Sequence, residues 1–182
     1  KIFAGPVSLP ASYDLRTLGR VSPVKNQFIP GPCWTFAVYG SLESCLLPGE
    51  SWDFSENHMK NTHGFDLAHD GGGNQLMATA YLVRWDGPVR EEDDPYDFRS
   101  DVSPAGLAPV KHVQETVWIP QRSGPADNDN IKYAVMTWGG LATAMYYADS
   151  FYNATNRSYR YSGESVTPNH MATIVGWDDS FA

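Results

Sequence analysis

Apolar side chains occupy nearly every face of one stretch, Cys33-Trp34-Thr35-Phe36-Ala37-Val38-Tyr39-Gly40-Ser41-Leu42-Glu43-Ser44-Cys45-Leu46-Leu47, which stops at Pro48-Gly49. A helix that is hydrophobic all round is a buried one, so the run predicts a core helix beginning at or beside Cys33. After Asn74, residues Leu76, Met77, Ala80, Tyr81 and Val83 recur at helical spacing and predict a second helix, closed by Gly87-Pro88. A third is predicted over Asp127 to Trp138, where Asn and Asp cap candidates precede Ile131, Ala134, Val135 and Trp138 and Gly139-Gly140 ends the pattern. Beyond it the texture changes. Leu141 to Tyr147 and Met171 to Trp177 are short apolar runs rich in β-formers, the second apolar on both faces, which suits strands buried in a sheet or barrel. Helices first and strands afterwards predict an α+β protein with segregated halves.

Composition narrows the class. The 182 residues suffice for one domain with a real core, and 42% hydrophobic against 19% charged residues is too apolar for a disordered chain. A formal charge of −8 argues against nucleic acid, which calls for a cationic face, and against docking on anionic lipid. No stretch approaches the roughly 18 apolar residues of a membrane span, and Lys1-Ile2-Phe3-Ala4-Gly5 is too short for a signal-peptide core. The two cysteines, Cys33 and Cys45, make no disulfide framework. On one helix they stand about 18 Å apart, so both are expected as free thiols, and Cys45 as a small buried hydrophobe.

Cys33 differs from Cys45 by its place. It follows Gly31-Pro32 at the expected first helical turn, where unpaired backbone N–H groups and the helix dipole stabilise negative charge on sulfur. A nucleophile there needs a base, and His170 lies 137 residues downstream at the head of the second apolar strand. Against that reading stands the ordinary one, a core cysteine and a core histidine. The Gly71-Gly72-Gly73 run reads as a flexible loop; a phosphate cradle lacks its strand-Gly-helix context. His58, His63 and His69 with Asp66 and Asp70 invite a metal, but their spacing fits no helix-borne ligand pair. Asn153-Ala154-Thr155 and Asn156-Arg157-Ser158 are formal glycosylation sequons.

A nucleophilic cysteine followed by Trp or Tyr, with its histidine some 130–150 residues later, is the spacing of papain and the cathepsins. From Leu9-Pro10 through Trp177 the chain resembles the papain-like cysteine peptidases. Tyr13-Asp14-Leu15-Arg16, Pro23-Val24-Lys25-Asn26-Gln27, Cys33-Trp34-Thr35-Phe36-Ala37, Phe54-Ser55-Glu56, Asp94-Pro95-Tyr96 and Asn169-His170-Met171-Ala172 fall in the family's order. The resemblance implies a two-lobed fold, helical over about 20–105 and β-rich over about 106–182, with a cleft between. It implies a thiol-dependent endopeptidase in which Cys33 is acylated, His170 serves as base and acid, and Gln27 donates to the oxyanion. Gly72 and Gly73 would hydrogen-bond an extended peptide, with Asn169, Ala144 and Met171 also facing substrate and Met171 narrowing a side-chain pocket. No metal or organic cofactor is needed, the partners are a peptide or protein substrate and a propeptide or further C-terminal segment, and the location implied is secreted or cell-surface.

Two departures stand out. The cysteines that form a disulfide beside the family's active site are replaced here by Pro30 and Asp70. The family also orients its histidine with an asparagine in an Asn-Ser-Trp-Gly motif, whereas this sequence stops at Ala182, twelve residues after His170. A fragment of a longer protein is therefore expected. Asn169 cannot stand in for that asparagine, since neighbours on a strand point to opposite faces. The rivals are a catalytically inert papain-like binding or adhesion module, and a Cys/His amidase acting on cell-wall peptides.

Overall fold

The structure is a computed structural model and describes residues 8–181; the reading of Lys1 to Gly5 lies outside the described residues. Elements follow in the order β1 (Ser12–Asp14), α1 (Cys33–Leu46), α2 (Glu56–Thr62), α3 (Gln75–Val83), α4 (Asp129–Trp138), β2 (Leu141–Met145), a short 3-10 turn (Asp149–Phe151), β3 (Tyr152–Asn153), β4 (Ser158–Tyr159), β5 (His170–Ile174) and β6 (Gly176–Asp178). Three antiparallel pairs form: β1 with β6, β2 with β5, and β3 with β4. This is an α+β arrangement.

Helix α1 is the hub. Trp34, Ala37 and Tyr39 are buried and join Phe54, Met59, Met77, Ala78, Tyr81, Leu82 and Met171 in one continuous cluster that includes Cys33. A run apolar on all sides is explained by this surround, since α1 packs on α2, α3, β2 and β5 at once. One expectation fails there: Cys45 is exposed, standing in the last turn of α1 one residue before the helix ends, and only its free thiol agrees with the reading above.

Asn74 caps α3 as its residue type predicts, its side-chain oxygen accepting from the N–H groups of Leu76 and Met77 at 2.9 and 3.1 Å. The helix ends at Val83 rather than at Gly87, because Trp85 takes a φ of 65° and turns the chain back. Helix α4 starts two residues later than expected. Asp127 instead accepts from the backbone and hydroxyl of Ser123, and Asn128 gives no side-chain cap but accepts from Arg122.

The strand expected from Met171 to Trp177 is divided. His170–Ile174 pairs with β2, and after Val175 the chain changes partner to pair with β1. Gly176 permits the change, since a side chain there would overlap the Tyr13 carbonyl. Met171 alone of β5 is buried, the other four residues being half-covered, so the expectation of a strand buried on both faces is corrected. A two-stranded pair has too few neighbours to cover both of its faces.

Candidate active site

Pro32 occupies the cap position of α1 and gives it no side-chain bond; its carbonyl accepts from the Thr35 N–H at 2.9 Å and the Thr35 hydroxyl at 2.8 Å. Cys33 is therefore the first helical residue, with its sulfur 3.8 Å from the Gly31 carbonyl oxygen. Gly31 has a φ of 113°, and a Cβ there would overlap the Asp70 carbonyl oxygen, with the carbonyl carbon at 2.7 Å. The backbone of Asp70 thus lies against Gly31. Close backbone packing holds these two loops where the resemblance would put a disulfide between positions 30 and 70.

Gln27 lies in the same approach loop. Its side-chain amide donates one hydrogen to the Ile29 carbonyl at 2.6 Å, and the Gln27 backbone carbonyl accepts from the Tyr96 hydroxyl at 2.7 Å. An amide NH2 carries two hydrogens, so this bond fixes the group and leaves the second hydrogen free to donate. Tyr96 also packs edge-on against Phe36 of α1 at 4.9 Å, which couples the Gln27 loop to the cysteine helix.

His170 opens β5 opposite Met145, half-buried, and desolvation pushes its pKa below the usual histidine range. Among the described residues no side chain hydrogen-bonds either ring nitrogen; Tyr147 packs beside the ring at 5.8 Å. Both ends of the Asn169 amide are engaged by the Tyr147 backbone, at 2.7 and 2.9 Å. The strand carrying His170 is tied to the helix carrying Cys33 by the Thr173 hydroxyl, which donates to the Ala37 carbonyl at 3.0 Å. That bond lies one helical turn from Cys33 and three strand residues from His170. Gly40 lets the contact form, since a Cβ there would stand 2.8 Å from the same hydroxyl. Two further bonds brace the junction. Ser41 donates to the Gly140 carbonyl at 2.6 Å; Ser44 donates to Arg20 at 2.5 Å and accepts from the Gly140 N–H at 2.8 Å.

Of the remaining candidates, Gly72 has a φ of 89° with open space around it, while Gly73 lies flat against Trp34, whose indole carbon Cδ1 would be 2.7 Å from an added Cβ. Ala144 and Met171 are direct cross-strand partners, the first exposed and the second buried. His58 shares its Nδ1 with the Tyr81 hydroxyl at 2.6 Å, and His63 accepts from the Phe65 N–H at 3.0 Å, so these two histidines weighed for a metal have protein partners.

One charged cluster behind the site was given no role by the sequence reading. The Lys25 ammonium contacts Glu56 at 2.9 Å, Asp53 at 2.5 Å and Glu43 at 3.7 Å. Burial alone would lower the Lys25 pKa, but Glu56 and Glu43 attract the charge strongly enough to raise it; burial pushes the Glu56 carboxyl up to about 8, only partly offset by Lys25. The Lys25 shift thus comes from the carboxylates around it, while the Glu56 shift comes first from burial, to which repulsion from Glu43 and Glu91 adds. Lys25 and Glu56 do lie in the two motifs quoted above, Pro-Val-Lys-Asn-Gln and Phe-Ser-Glu, which was the available signal.

A cysteine leads a buried helix, a histidine leads a strand bonded to that helix, and a glutamine lies in the approach loop of this α+β protein. The description "Papain family cysteine protease" matches residues 9–181, and the chain belongs to that family. It is 34% identical over 105 residues to the viral cathepsin of Spodoptera exigua nuclear polyhedrosis virus, covering 56% of this chain and 30% of that protein. To the viral cathepsin of Heliothis zea nuclear polyhedrosis virus it is 26% identical over 181 residues, 96% of this chain and 46% of the relative. Among solved structures, the cysteine protease and lectin-like domains of Cwp84, a surface layer associated protein of Clostridium difficile, superpose with a TM-score of 0.82 at 26% identity, covering 95% of this chain and 40% of that one. Procathepsin L 3 of Tenebrio molitor larval midgut shares the fold, with a TM-score of 0.74 at 22% identity over 94% of this chain and 56% of the other. The chain thus spans less than half the length of the two viral cathepsins. No helix among the described residues is long and apolar enough to cross a membrane.

Proposed function

We propose that the protein is a thiol-dependent endopeptidase in which Cys33 and His170 carry the chemistry. Its active cleft would lie between the helical part, about 20–105, and the β-rich part, about 106–182. The Cys33 proton passes to His170 and the sulfur attacks the peptide carbonyl carbon. The resulting oxyanion is held by the backbone N–H of Cys33 and the free hydrogen of the Gln27 amide. His170 returns the proton to the amine as the C–N bond breaks, leaving a thioester on Cys33. Water then gives a proton to His170 and attacks the thioester, which releases the acid and restores the thiol. Gly72 and Gly73 offer backbone groups to the acyl side of the peptide, and the Ala144–Met171 pair borders its side-chain pocket.

The observation that supports this most is the bond from Thr173 to Ala37, which ties the strand led by His170 to the helix led by Cys33. Labelling with iodoacetamide or an epoxide warhead near pH 6, followed by mass mapping, tests it. Cys45 is exposed and Cys33 buried, so accessibility alone favours Cys45. Faster labelling of Cys33, lost in His170→Ala, is the expected outcome, together with cleavage of fluorogenic peptides. Gln27→Ala is expected to lower kcat by about 100-fold or more at unchanged thermal stability; an equal kcat would remove Gln27 from the oxyanion site.

A second reading, an inert papain-like binding module, is favoured by the His170 ring, which lacks a side-chain hydrogen-bond partner among the described residues. Slow labelling that follows exposure alone would select it. The surface-layer association stated for Cwp84 supports an extracellular or cell-surface location for this chain as well.

A further inference from the structure

A cavity of about 400 Å³ opens beside His170. One wall is the segment from Asn26 to Pro30, the other Tyr147, Asn169 and His170. Apart from His170 the lining carries no ionisable group but the Tyr147 phenol. Gln27 and His170 border this space together, and the Gly72–Gly73 backbone and the Ala144–Met171 pair do not, so the peptidase reading puts there the part of the peptide released as amine.

Phe28 is the unusual feature of that wall. It is 67% exposed, yet it sits at a φ of 60°, a region that a bulky side chain enters only under strain. The Ile29 N–H bonds the Gln27 carbonyl at 2.7 Å, so the chain makes a three-residue γ-turn with Phe28 at its apex. Asn26 holds the turn by accepting from the Phe28 N–H at 2.8 Å. No burial offsets the strain: the ring touches Phe98 at 5.5 Å and otherwise faces solvent and the cavity. Across the cavity Tyr147 is fixed by the two Asn169 bonds and by stacking on Tyr159 at 5.2 Å. Two aromatic side chains, one on a fixed turn and one on a braced backbone, thus border a space whose ionisable groups are His170 and the Tyr147 phenol.

We propose that Phe28 and Tyr147 are specificity-determining residues that select a bulky apolar or aromatic side chain on the residue leaving as amine. This rests on the peptidase reading above. The test lets acyl-Cys33, formed from a peptide ester, partition between water and added amino-acid amides, which occupy the leaving-group position in reverse. Phenylalaninamide is expected to intercept the acyl-enzyme about 10-fold better than glycinamide, and Phe28→Gly, which also relieves the strained φ, to reduce that ratio to about 3-fold or less, with Tyr147→Ala acting the same way. Equal interception by the two amides, or a preference untouched by both variants, overturns the proposal. Should no acyl-enzyme form, the peptidase reading fails first. Titration of Cys33→Ala protein with phenylalaninamide and glycinamide, followed by NMR of the aromatic rings, then decides the subsite alone. Binding of phenylalaninamide that Phe28→Gly weakens supports it; no difference between the amides overturns it.

Discussion

Substituting Gly31 with alanine tests whether backbone packing locks the loop before Cys33. The new Cβ would meet only backbone, with the Asp70 carbonyl carbon at 2.7 Å and its Cα at 3.0 Å, so no rotamer change relieves it. It would also hold alanine at a φ of 113°. The strained backbone contributes about 1–3 kcal/mol and the overlap a similar amount. At roughly 2–4 °C per kcal/mol for a chain of this size, the midpoint should fall by about 5–15 °C. Gly72→Ala is the matched control, since its φ is 89° and nothing lies within 4 Å of the added carbon. It carries the strain without the overlap and should cost about half as much or less. Calorimetry gives the two midpoints, and the alkylation rate of Cys33 reports whether the loop has moved. Equal losses in the two variants, or a Gly31→Ala protein with unchanged melting and labelling, would refute the packing argument.

Ser44→Ala removes a fully buried hydroxyl that bonds both Arg20 and Gly140, and should destabilise the fold by about 1–3 kcal/mol, read from denaturant midpoints; a loss under about 0.5 kcal/mol would mean the bonds carry no net stability. Glu56 has a folded pKa of about 8 against an ordinary value of 4.5, so the folded state retains a proton that the unfolded chain releases between those values. Its contribution is therefore present below about pH 4.5 and lost as pH rises toward 8. The stability difference between wild type and Glu56→Gln should drift toward the variant over that window, and parallel pH profiles would contradict it.

What could be read from the sequence follows from which signals are local. Helix α1 is legible because its surround forces apolar residues onto nearly every face, and Asn74 is legible because capping needs only the next three residues. Helix α2 was missed: its seven residues include Glu56, Asn57, His58 and Lys60, all buried, so polarity there does not mark a surface. Its only signal is Ser55, which accepts from the His58 N–H at 2.9 Å. The Lys25 cluster was hidden for the same reason, since its carboxylates come from positions 43, 53 and 56 and meet only in the folded chain. The break after Ile174 depends on which strand each half pairs with, and a run of apolar residues does not encode its partner.

The approach of the strand led by His170 to the helix led by Cys33 is set by small residues along one face of that helix. Ala37, Gly40, Ser41 and Ser44 recur along one face of α1 at helical spacing, and each is small. Small side chains let β2 and β5 approach the helix backbone closely enough for Thr173 to reach the Ala37 carbonyl and for Ser41 and Ser44 to reach Gly140. Hydrogen bonds of that kind define register as well as distance, because a shift of one residue along β5 would turn Thr173 away from the helix and exchange the faces on which Thr173 and His170 lie. A larger residue at Gly40 would push β5 away from the helix, since even a Cβ there stands 2.8 Å from the Thr173 hydroxyl. The face that looks least chemical therefore positions the two elements that begin with Cys33 and His170.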